Sequence, residues 1–94
     1  MKEVLSLLQQ FADTPGDPVI LASVAEELLF PKFTKLSSQE LYIIYITIMA
    51  FPNRSIKHGK ILISGMARYD MLPDMLPDID ADTPEWIKEI REKK

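Results

Sequence analysis

No cysteine occurs anywhere in the 94 residues. That absence excludes a disulfide scaffold, a thiol nucleophile and any cysteine-ligated zinc or iron–sulfur centre. Histidine is nearly as scarce. His58 stands alone, so neither a histidine pair, nor a two-histidine metalloprotease motif, nor a Cys/His dyad can be assembled. Glycine occurs three times, and Gly59-Lys60 lacks both the upstream glycine and the following serine or threonine of a phosphate-binding loop. No apolar run is long enough for a bilayer. The longest, Leu41 to Phe51, would span about 16 Å as a helix, roughly half of a hydrocarbon core. Glu3 near the N-terminus, with Gln9 and Gln10 behind it, argues against a secretory leader. A soluble, cytoplasmic protein is the expectation.

What is present is ordinary for one globular domain: 47% hydrophobic and 27% charged residues, with a net charge of −3. That charge is unevenly distributed. Residues 1–31 carry one lysine against five acids, residues 32–69 six cations against one acid, and residues 70–94 four cations against eight acids. A basic middle lies between acidic ends, which reflects either a partner surface or the ends packing over the middle.

The element pattern is helical. Val4, Leu5, Leu8, Phe11 and Ala12 recur at helical spacing from Lys2 to Ala12, and Asp13-Thr14-Pro15-Gly16 is turn chemistry. Asp17-Pro18 has the cap-then-proline form of a helix start. Ile20, Leu21, Val24 and Leu28, with Phe30 as a further candidate, form the apolar face of that helix, and Pro31 ends it, leaving Phe33 in a short connection. Ser37 and Glu40 have capping-box spacing, with Leu36 and Leu41 at staple spacing. The helix they open, 38–51, is apolar nearly all round and is expected to be buried on most sides. Residues 55–71 read as a further helix weakened by Gly59 and Gly65, with a strand at 60–65 as the competing reading. Two prolines four apart, in the tandem Met71-Leu72-Pro73-Asp74 and Met75-Leu76-Pro77-Asp78, forbid a regular helix there. Thr83, Pro84 and Glu85 start a last helix, with Thr83 as cap and Arg91, Lys93 and Lys94 suiting its C-terminal dipole. The expected fold is all-α: one domain over 1–94, four to five short helices around the buried central helix, and an acidic proline-containing strap at 71–82. The alternative is α+β with a small hairpin at 40–64.

Constellations for chemistry are thin. Asp78, Asp80, Asp82 and Glu89 have the outline of a calcium loop, but Thr83 replaces the required glycine and Pro84 sits inside, so no metal or other cofactor is expected. Glu26 and Glu27 are neighbours on a polar helix face, and Ser37 and Ser38 are caps without an adjacent base. The 38–51 helix shows isoleucine and tyrosine where a recognition helix needs polar and basic groups. Tyr42 and Tyr45 are either core residues with their hydroxyls at its edge or part of an exposed apolar patch. Met49 and Met66 belong to the core, whereas Met71 and Met75 suit either packing or a partner.

The expected function is therefore non-enzymatic: a small protein-interaction module acting as regulator, inhibitor or assembly adaptor. Met71, Leu72, Met75, Leu76 and Trp86 supply apolar contacts, and Asp74 and Asp78 steer a basic partner. Homodimerisation is a variant of this reading, because burying the central helix all round could require a second subunit. The alternative is an accessory nucleic-acid-binding protein using Arg54, Lys57, His58, Lys60 and Arg68 of the basic 53–68 region. No membrane partner is expected.

Overall fold

The computed structural model describes residues 1–92, the side chain of Glu92 excepted; Lys93 and Lys94, expected to end the last helix, lie outside the described residues. All regular structure among them is helical: α1 (Lys2–Ala12), α2 (Pro18–Val24), a π-helical segment (Ala25–Leu29), α3 (Phe30–Phe33), α4 (Ser38–Met49), a 3₁₀ turn (Asn53–Ser55), α5 (Ile56–Arg68) and α6 (Glu85–Glu92). The strand reading of 60–65 and the hairpin at 40–64 are thereby set aside. Since α2, the π segment and α3 run on without a break, and the 3₁₀ turn leads into α5, the bundle has five rods.

The second rod departs from expectation in an informative way. Pro31 does not end it. A proline ring inside a regular helix collides with the carbonyl four residues back and donates no hydrogen bond. Here the Phe30 amide reaches back five residues to the Ala25 carbonyl, so the turn before Pro31 is widened and the chain continues to Phe33. The extra residue also turns the buried face. Leu21, Ala25, Leu29, Phe30 and Phe33 go inward, while Ile20 and Leu28, both assigned inward by simple periodicity, are each 52% exposed.

The capping box at the start of α4 is complete. The Glu40 amide donates to Ser37 Oγ at 3.2 Å, and the Ser37 amide donates to the Glu40 carboxylate at 3.0 Å. That backbone hydrogen bond holds the Glu40 carboxyl below its ordinary range. A carboxylate whose pKa is lowered by folding stabilises the fold above its unfolded pKa. The contribution fades as pH falls through the lowered folded value. Urea titrations of wild type and Glu40→Gln should therefore differ at neutral pH and converge in acid. A gap independent of pH would mean the charge of Glu40 plays no part in the cap.

Burial of α4 is one-sided. Leu41, Ile44, Tyr45 and Ile48 are in the core, but Ile43 is 42% and Ile46 41% exposed, so the expected burial on most sides is not met. The hub of the five rods is α5, which packs against α1, α2, α4 and α6, whereas α4 packs chiefly on α5 and leaves a side open. The two helix-weakening glycines of α5 are where its neighbours come closest. A Cβ on Gly59 would stand 2.7 Å from Trp86 Cη2, and one on Gly65 2.1 Å from Phe30 Cζ. α5 closes in a Schellman motif: Met71 donates to the Met66 carbonyl and Asp70 to that of Ala67, with Asp70 itself left-handed at φ 58°.

Beyond α5, the strap residues 70–84 carry no helix or strand. The radius of gyration, 12.3 Å, equals the roughly 12 Å of a compact chain of this length, so the strap lies on the body.

Candidate functional site

Three of the basic residues of the 53–68 region grip the C-terminal end of α1. Ser55 Oγ donates to the Ala12 carbonyl at 2.7 Å, and Lys57 Nζ to the Gly16 carbonyl at 3.2 Å. Arg54 pairs with Asp13 at 3.3 Å. His58 is 4% exposed, and its Nε2 lies 2.7 Å from the Thr14 carbonyl. A carbonyl can only accept, so Nε2 carries the proton. The ring also stands edge-on to Phe11, with centroids 5.4 Å apart. These bonds satisfy the last carbonyl of α1 and two carbonyls of the turn that follows it. His58 is thus a buried strut rather than a loop residue, because helical periodicity turns it toward α1. Lys60 and Arg68 remain exposed on α5. The five positions do not form one open basic surface.

The acidic run before α6 closes on itself. One Asp80 carboxylate oxygen accepts from the Asp82 amide at 2.9 Å and from Thr83 Oγ1 at 3.3 Å, and the Asp80 amide donates to Thr83 Oγ1 at 2.9 Å. Thr83 is therefore occupied by the preceding turn rather than capping α6, which begins at Glu85. Among the described residues no group of three or more His, Asp or Glu is placed to hold a metal ion.

The strap itself is fastened at several points. Pro73 is buried, and the half-buried Leu72 and Leu76 pack against the core, where with Tyr45, Ile63, Ala67, Ile90 and Arg91 they line a small space of about 80 Å³. The Asp74 amide donates to Ser38 Oγ at 2.8 Å, and the Arg91 guanidinium donates to the Pro77 carbonyl. Burial raises the pKa of Tyr45 at the floor of this space, against an opposing effect of Arg91.

Of the seven residues expected to meet a partner, the structure separates three kinds. Leu72 and Leu76 are anchors, and Met71 lies half-buried beside Phe30, Pro31 and Tyr69. Trp86 is 6% exposed and packs on Gly59, so it belongs to the core; its large ring fills the gap that a missing Cβ leaves. Met75, 77% exposed, and the carboxylates of Asp74 and Asp78 face outward, and neither acid is in an ion pair among the described residues.

Met75 borders an open groove of about 870 Å³. One wall is the first turns of α4, with Ser38, Gln39, Tyr42 and Ile43; the other is the strap from Pro73 to Asp78. Tyr42 is half-buried here, whereas Tyr45 turns inward at 1% exposure. Sequence reasoning missed Ile43 as a surface residue. An all-apolar helix carries no wet face to mark the side left open, so only the placement of neighbours reveals it.

A second exposed apolar ridge, Val19, Ile20 and Leu28, lies on the second rod. No helix among the described residues is long and apolar enough to cross a membrane. No family model, curated protein or solved structure matches the chain.

Proposed function

We propose that this protein is a small non-enzymatic module that binds another protein, and so acts as a regulator, inhibitor or assembly adaptor in the cytoplasm. The reading rests above all on the groove between α4 and the strap. A bundle of this size has few apolar side chains to leave in water. Yet Met75, at 77% exposure, and Ile43, at 42%, border one groove. Methionine adapts to irregular surfaces, as a docking site needs. The anchoring of Leu72 and Leu76 holds the strap in place, so the groove is formed before a partner arrives and little ordering entropy is spent on binding.

Immobilised wild type and the double variant Ile43→Asp plus Met75→Asp should capture different proteins from the native cell, with at least one protein lost on the variant. Sedimentation equilibrium of the purified chain supplies the control. Equal capture by both would remove the groove as the docking surface. A dimer dispersed by the double variant would assign the same surface to self-association.

A further inference from the structure

From the walls and rim of the groove, we infer that its occupant is an amphipathic α-helix of another protein whose apolar face is flanked by lysine or arginine. The inference rests on the docking reading above and adds the partner's conformation and charge.

Conformation follows from which groups the strap has free. An extended partner would add to the strap through main-chain hydrogen bonds. Pro73 and Pro77 have no amide to give, the Asp74 amide is taken by Ser38 Oγ, and the Pro77 carbonyl is taken by Arg91. Three of the six amides from Pro73 to Asp78 are thus missing or taken, which interrupts the regular ladder an added strand needs, and recognition rests on side chains. On the opposite wall Gln39 and Ile43 lie four residues apart on α4, and Ile46, three residues further on, continues the same helix face beyond the groove; both isoleucines are more than 40% exposed. Such a ridge is what a second helix packs against, ridge into groove, with apolar residues at the same spacing.

Charge follows from the rim. Between Arg68 and Lys88 the chain carries Asp70, Asp74, Asp78, Asp80, Asp82 and Glu85 and no basic residue. Asp74 and Asp78, four residues apart on the strap, border the groove directly, and neither is in an ion pair among the described residues. An acidic partner would meet uncompensated like charge there, whereas lysine or arginine beside an apolar stripe completes both features together.

The test uses two designed peptides of about 18 residues, long enough to hold helix, with the same leucine stripe and either lysine or glutamate at every flanking position. The Ile43 and Met75 methyl signals of the full chain are followed by NMR. The leucine–lysine peptide should shift both signals saturably and the leucine–glutamate peptide should not. Asp74→Asn plus Asp78→Asn, both at exposed side chains with no recorded partner, should weaken binding about three- to tenfold. Equal shifts by both peptides would overturn the charge assignment while leaving a docking groove in place. No shift by either would overturn the helical occupant, and the capture experiment would then decide the docking reading separately. Shifts that grow with protein concentration alone would overturn it in favour of a second copy.

Discussion

Phe33→Ala should cost about 3–5 kcal/mol, a large part of the roughly 5–15 kcal/mol that holds a domain of this kind together. Phe33 has no exposed surface and meets Phe30 edge-on, with centroids 5.9 Å apart. Truncating it removes a ring from the place where the second rod turns toward α4, and the short α3 segment has little freedom to collapse into the space. Phe33→Leu keeps most of the volume and should cost less, about 1–2 kcal/mol. Urea unfolding followed by circular dichroism measures both. A loss under about 1 kcal/mol for Phe33→Ala would be incompatible with a buried ring and would favour a chain that leaves the bundle at Pro31.

Gly65→Ala should also destabilise, against the direction that helix propensity alone gives. Alanine in place of glycine inside a helix is worth about 1 kcal/mol in its favour. The added carbon would stand 2.1 Å from Phe30 Cζ and 2.7 Å from Cε2. The Phe30 ring packs edge-on against both Phe33 and Tyr69, at 5.9 and 5.5 Å between centroids, so swinging clear would break these two contacts. Overpacking of this kind costs about 1–3 kcal/mol, occasionally more, and the net change should be a loss. Phe30→Leu in the same chain should relieve it, so that the double variant is less impaired than the sum of the two single losses. Stabilisation of the single variant would show that the ring does have somewhere to go.

Both predictions sit where sequence reasoning was least informative. The capping signals at Ser37 and Glu40 and the cap-then-proline start at Asp17 and Pro18 lie within one turn of chain. The structure reproduces them, as it does the turn at 13–16. The all-helical class followed from those starts and from helical spacing. What escaped depends on contacts between distant segments. Pro31 reads as a stop unless the π turn before it is known, and that turn leaves no pattern of residue types. Gly59 and Gly65 read as weak points in α5, because Trp86 and Phe30 are separated from them by more than 25 residues in either direction.

The candidate site was legible to a similar degree. The strap was marked by its prolines and its acids, and Met75, Asp74 and Asp78 face outward. Leu72, Leu76 and Trp86 have the same apolar chemistry as Met75, and nothing in their spacing distinguishes an anchor from a contact. The opposite wall, Tyr42 and Ile43, was hidden inside a uniformly apolar helix.

The grip of residues 54–58 on the turn after α1 has a consequence for how freely each partner can vary. Its acceptors at Ala12, Thr14 and Gly16 are main-chain oxygens, which every amino acid supplies, so the side chains this half contributes are Asp13, paired with Arg54, and Phe11, edge-on to His58. The donors at Ser55, Lys57 and His58 are side chains with a required reach and chemistry. Drift in sequence is thus permitted on one half of the joint and confined on the other. The exposed face of the first helix could be rewritten while Val4, Leu8 and Phe11 stayed in the core and the helix remained attached at the same point.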